Sequence, residues 1–144
     1  MNIEFFTEET DADNIGFVLN RAAELETWIT SVITNEEYSL ESLNYIFCSD
    51  EYLLKMNKEY LDHDTFTDII TFDNSESDNT IESDIFISVD RVKENCQLQD
   101  TSFEDELNRV MIHGVLHLMG WGDKTDALKK EMRLKEDACL SLRN

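Results

Sequence analysis

The chain of 144 residues contains no proline and only four glycines, so it lacks the breaker-rich stretches from which extended linkers are made. No internal repeat is present, which excludes solenoid and propeller arrays. One domain spanning residues 1–144 is therefore expected, at a length that can close a single hydrophobic core. The three cysteines, Cys48, Cys96 and Cys139, are odd in number, far apart and outside any Cys-x-x-Cys spacing. That excludes a disulfide framework and a thiolate zinc site, and leaves small apolar core residues as the expectation. No run approaches the roughly 20 apolar residues of a membrane span. Met1-Asn2-Ile3-Glu4-Phe5-Phe6 lacks the basic flank of a secretory signal. A cytoplasmic protein with no membrane partner is the expectation.

Basic residues are scarce as well. Twelve Lys and Arg stand against 32 Asp and Glu, a formal net charge of −20, which repels nucleic acid and anionic lipid at long range. A polyanionic substrate must then be held locally, by a metal or by a cluster of cations. Five basic residues, Lys124, Lys129, Lys130, Arg133 and Lys135, do lie close together, but Asp126, Glu131, Glu136 and Asp137 are interleaved with them. The same pattern describes a solvated helix face with internal ion pairs. Apolar residues at 41% and charged residues at 31% are ordinary globular usage, so the chain is expected to fold.

Periodicity predicts four strands and five helices. Ile3 and Phe5 alternate around Glu4 as a short strand, followed by an acidic turn, Glu8 to Asp13. Ile15, Val18, Ala22, Leu25, Ile29 and Val32 recur at helical spacing. Leu43, Tyr45 and Phe47 read as the second strand, and Asp50 is placed to cap a helix running to about Tyr60. Asp68–Phe72 and Ile81–Ser88 are rich in β-branched residues and predict neighbouring strands across a polar loop, Asn74–Asn79. A short helix over Asp90–Gln97 comes next, and Thr101-Ser102-Phe103-Glu104 has capping-box spacing. The helix it opens carries Phe103, Leu107, Val110, Met111, Gly114 and Leu118 inward and stops at Gly120. A last helix, from about Asp126 to Leu142, turns Leu128, Met132 and Cys139 inward. The class is α+β.

His113-Gly114-Val115-Leu116-His117 places two imidazoles one helical turn apart on one face, where both reach a single cation about 2 Å from each nitrogen. The chain then turns at Gly120, so that Asp123 can return to the same cation. Two neutral imidazoles and one carboxylate form a known catalytic zinc set that leaves a position for water. Asp123 is equally placed to cap the following helix. A zinc peptidase is disfavoured because Gly114 stands where that class carries its glutamate base. A non-haem iron oxygenase also uses two histidines and a carboxylate, but on the strands of a barrel.

His113-Gly114-Val115-Leu116-His117-Leu118-Met119-Gly120-Trp121 resembles the signature of the YbeY family, metal-dependent endoribonucleases of bacterial rRNA maturation. Asn57-Lys58-Glu59-Tyr60, Thr67-Asp68-Ile69-Ile70-Thr71-Phe72, Asp84-Ile85-Phe86-Ile87-Ser88, Met132 and Glu136 extend the likeness over about residues 40 to 142. The resemblance implies a mixed four-stranded sheet packed with about five helices, a metzincin-like metal helix, a zinc ion at a cleft mouth, and RNA, an rRNA precursor, as substrate. Ribosomal proteins attracted to the acidic surface are further expected partners.

Two positions depart from the family pattern. Asp123 stands where histidine is usual; a negative ligand makes bound water less acidic and harder metals more competitive. Leu61 stands where the family has arginine, removing a phosphate-binding cation that His63 or Lys58 could replace, although both also read as exposed residues. Asp84 is expected near the cleft as a catalytic orienter, or else as a polar residue at a strand start. The rival from another class is a non-catalytic ribosome-assembly or RNA-binding factor whose metal only staples the turn after Gly120. An open metal position would favour hydrolysis and a closed set of four protein ligands the staple.

Overall fold

Alternating apolar residues build β1 (Ile3–Thr7), β2 (Ser39–Cys48), β3 (Ile69–Asp73) and β4 (Thr80–Ser88), in a computed structural model that describes residues 2–8, 17, 19–61 and 67–143. The sheet order is β1-β2-β4-β3. β1 and β2 pair in parallel, as do β2 and β4, while β3 runs antiparallel to β4. The sheet is thus mixed. With α1 (Ala22–Asn35), α2 (Asp50–Leu61), α3 (Val89–Leu98), α4 (Phe103–Leu118) and α5 (Asp126–Leu140), the α+β class and the expected element types hold among the described residues.

Strand alternation sorts the helices onto two faces. Leu43, Tyr45 and Phe47 of β2 join Ile81, Ile85 and Ile87 of β4 in the main core, with Leu25 and Ile29 of α1 and Met111, Ile112 and Val115 of α4. Each such side chain, fully buried, contributes roughly 1.5–3 kcal/mol. The Tyr45 hydroxyl, fully buried, donates to the Met111 carbonyl at 2.9 Å, which satisfies it and pins α4 over β2. The opposite face is smaller: Cys48, Leu53 and Ile70 pack with Tyr52, Met56, Phe72 and Phe86 beneath α2. α5 lies on the outer side of α4, where Met132 and Cys139 reach the core.

Several boundaries move by one residue because a neighbouring hydroxyl is the better cap. Ser49, not Asp50, caps α2: its Oγ accepts from the Tyr52 N–H at 3.1 Å. Asp50 instead ties α2 to α3, since its carboxylate accepts from the Ser88 hydroxyl at 2.6 Å and from Arg91 Nε at 3.0 Å. Ser102, not Thr101, caps α4 by accepting from the Asp105 N–H at 3.0 Å. The expected start of the first helix at Ile15 and Val18, with most of the acidic turn before it, lies outside the described residues. Leu128 does not turn inward; it is exposed while Met132 and Cys139 are buried.

α4 sits unusually close to the sheet because residue 114 has no side chain. A β-carbon there would lie 2.8 Å from Ile69 Cδ1, 3.1 Å from Ile85 Cδ1 and 3.3 Å from Thr71 Cγ2. The space beside Gly114 is therefore filled by β3 and β4. Gly114→Val should lower the unfolding free energy by about 2 kcal/mol or more through overpacking, measured by urea denaturation. The three cysteines are free and buried, and burial, with the charges of Glu8, Asp90 and Asp50, pushes the Cys48 thiol up to about 12. In the native protein a disulfide-exchange reagent at neutral pH should leave Cys48 unmodified, and denaturant should release all three thiols.

Candidate metal centre

The histidine pair leaves the exposed side of the last turns of α4 with ring centroids 4.5 Å apart and planes nearly perpendicular. The helix then ends in a double reverse bond: the Gly120 N–H donates to the His117 carbonyl and the Trp121 N–H to the Leu116 carbonyl, each at 3.0 Å. That closure requires a left-handed residue, and Gly120 supplies it at φ +96. The chain is thereby aimed back along the helix. The cap of α5 is Thr125, which accepts from the Leu128 N–H at 3.1 Å, so the Asp123 carboxylate is not consumed in capping.

Asp123 Oδ2 lies 3.2 Å from His117 Nε2 and 3.5 Å from His113 Nε2. Four ligands held tetrahedrally about 2.0–2.1 Å from a zinc ion are roughly 3.3 Å from one another. The Asp123 carboxylate is within hydrogen-bond reach of His117 Nε2, and both separations also match those between ligands that share one cation. Among the described residues these three are the group of His, Cys, Asp and Glu side chains able to hold a metal, and each is partly exposed. A cation held by them would be reachable from solvent, as a catalytic donor set requires.

The remaining nitrogen of His113 is committed. Its Nδ1–H donates to Glu136 Oε2 at 2.6 Å, which leaves the Nε2 lone pair pointing at Asp123 and His117. Glu136, 5% exposed, is held in turn by Arg109, whose Nη1 donates to Glu136 Oε1 at 2.9 Å and whose Nη2 donates to Asp137 at 2.5 Å. Burial opposes a charged His113, but the Glu136 hydrogen bond and the charges of Glu136, Asp68 and Asp123 outweigh it and raise its pKa. A cation held at Nε2 would displace the second proton of the charged ring. A carboxylate behind a ligating imidazole fixes its orientation and raises its basicity.

The cluster opens onto a cleft of about 350 Å³ between α4, α5, α3 and the start of β3. Asp68, Glu106, Asp123 and Glu136 line it against Arg109, Lys129 and Arg133. Of the five basic residues after the histidine motif, Lys129 and Arg133 thus face the cleft. Lys135 instead pairs with Glu36 at 3.2 Å and lies over the Trp121 ring.

Other expected site residues fall elsewhere. Asp84 alternates with Ile85 on β4, so it faces away from α4, accepts from Asn44 Nδ2 at 3.0 Å and borders a separate depression with Tyr52, Phe72 and Phe86. The sheet separates it from the histidine pair, and its expected place near the cleft is corrected. His63 lies outside the described residues. Lys58 and Leu61 are exposed on α2, on Asp84's side of the sheet. Conversely, Glu106 and Arg109 come to the cleft with no local motif to announce them, and Asp68 was marked only by its place in a segment like the family's. For Glu136 the sequence signal toward the site was its place in the closing helix of the resembling family.

Known proteins match this chain over nearly its whole length. The family model described as endoribonuclease YbeY matches residues 7–143. An endoribonuclease YbeY of Cytophaga hutchinsonii is 57% identical over 98% of this chain and 95% of its own length. That of Christiangramia forsetii is 46% identical over 97% and 93%. The solution structure of TM1509 from Thermotoga maritima superimposes with a TM-score of 0.65 at 25% identity, over 96% of this chain and 87% of that one.

Because Glu136 holds His113 from behind, Glu136→Ala should weaken metal binding by about 10- to 100-fold without removing a ligand. Competition with a chromophoric chelator measures this, and an unchanged dissociation constant would contradict the arrangement.

Proposed function

We propose, from the premise that this chain belongs to the endoribonuclease YbeY family, that His113, His117 and Asp123 hold one divalent cation, zinc, at which RNA is hydrolysed. The chain is a nuclease of the hydrolase class. The observation that carries the site reading is the group of three donors, spaced for one cation and open to a cleft. No fourth protein donor among the described residues favours a purely structural metal.

A divalent cation held there supplies Lewis acidity toward a phosphoryl oxygen and acidifies a water for attack on the phosphodiester. The protein's own residues do the rest. Glu136 keeps His113 in the tautomer whose Nε2 is free, and Arg109 keeps Glu136 in place. Asp123 brings the negative charge that balances part of the cation's, and Lys129 and Arg133, one turn apart on α5, offer donors to phosphate.

Charge explains how so acidic a chain accepts RNA. The cleft's four carboxylates outnumber its three cationic side chains, and one divalent cation reverses that sign. The substrate is thus drawn to a loaded site and repelled from most of the remaining surface. We assign the substrate to rRNA precursors, the compartment to the cytoplasm, and the acidic exterior to contacts with basic ribosomal proteins.

The test is to purify the chain, measure bound metal, and follow cleavage of structured and single-stranded RNA by wild type and Asp123→Ala. One metal per chain and metal-dependent cleavage are expected of wild type. The variant should lose both, with its thermal midpoint within a few degrees of the metal-free wild type. Unchanged activity in a metal-free variant would sink the proposal.

A further inference from the structure

A hydrolytic site needs a group that takes the proton of the attacking water, and the helix carrying the two histidines offers none beside them. Residue 114 is glycine. Its position is closed by Ile69, Thr71 and Ile85, so the base must come from another element. The contact that closes it also indicates where. Ile69 Cδ1 abuts Gly114, and the residue before Ile69 is Asp68, at the mouth of β3.

The Asp68 backbone is fixed there, since the Ser88 N–H donates to its carbonyl at 2.9 Å. Its side chain lines the same cleft as His113, Asp123 and Glu136. The other carboxylates on that cleft are bonded, drawn into the metal cluster or, unlike the half-buried Asp68, fully buried. Glu136 is bonded to His113 and Arg109, Asp123 belongs to the candidate metal cluster, and Glu106, two turns before His113 on α4, is 4% exposed with its Oε1 buried and without a hydrogen-bond partner. Among the described residues Asp68 has no cation pairing with its carboxylate.

We propose that Asp68 is the catalytic base of the reaction, a carboxylate delivered from the sheet to accept the proton of the water that attacks RNA. This rests on the function proposed above. The water oxygen forms its bond to phosphorus as the bond from phosphorus to the departing ribose oxygen breaks. The water's proton goes to an Asp68 oxygen, and the departing oxygen is protonated in the same cleft by that carboxyl or by solvent. No oxidant or further reactant enters. Burial holds the Asp68 carboxyl above its ordinary pKa, opposed by His113 and its own backbone hydrogen bond and reinforced by Glu136 and Asp123.

The experiment compares wild type, Asp68→Asn and Asp68→Ala, each loaded with zinc, on an end-labelled single-stranded RNA, with zinc affinity measured by chelator competition and folding by thermal melting. Asp68→Asn should lose about 10²- to 10⁴-fold in kcat, with KM, zinc affinity and melting temperature close to wild type. Asp68→Ala should lose as much, and added formate should restore part of its rate, which a merely structural role would not allow. A kcat within a few-fold of wild type in both variants would overturn the assignment. So would a parallel loss of zinc affinity, which would make Asp68 a ligand, or loss of the fold in both variants. A zinc-loaded wild type that leaves RNA uncut would overturn the nuclease reading itself, and this inference with it.

Discussion

Where Gly114 meets Ile69 and Ile85, a helix lies on a sheet with no side chain between them, and the rest of the site takes its coordinates from that contact. It fixes the height of α4 above β3 and β4. The histidines one residue before and three after it then stand at the rim of the sheet, not over its centre. The same contact brings the start of β3, and with it Asp68, alongside the histidine turn. Close-packed interiors transmit small displacements, so a side chain at 114 would shift ligands and cleft together. Glycine in mid-helix costs roughly 1 kcal/mol relative to alanine. Here that cost secures an approach no other residue permits.

Around this contact the polar groups are arranged in series. Asp137 and Glu136 hold Arg109, Glu136 holds His113, and His113 faces Asp123 and His117. α5 contributes nothing to the three donors yet determines the orientation of one of them through Glu136. Burying a carboxylate and a guanidinium is expensive unless each is paired and hydrogen-bonded. Arg109 meets the condition with two carboxylates, and Glu136 with an arginine and an imidazole.

How much of this could be read from the sequence depended on distance along the chain. His113, His117, Gly120 and Asp123 lie within eleven residues, so helical geometry and one glycine turn sufficed to bring them together. Element types followed from period, and cap positions slipped by a residue wherever two hydroxyl or carboxylate side chains competed, as with Ser49 and Asp50. Asp84 could be assigned to a strand but not to a face, because alternation tells which residues share a side and not which side meets α4. Asp68, Arg109 and Glu136 come from three elements spread over some 69 residues, and only the folded arrangement unites them. Leu128 failed as a core residue because α5 packs on α4 along a narrower stripe, with Met132 and Cys139 inside and Leu128 near the rim.

The account turns on one cation shared by three side chains. The most direct measurement is X-ray absorption at the zinc edge of the loaded protein, paired with a crystal structure using the metal's anomalous signal. One ion per chain is predicted, about 2.0–2.2 Å from His113 Nε2, His117 Nε2 and an Asp123 oxygen, with a fourth ligand that is not protein. An ion bound elsewhere, or a site closed by a fourth protein side chain, would contradict it.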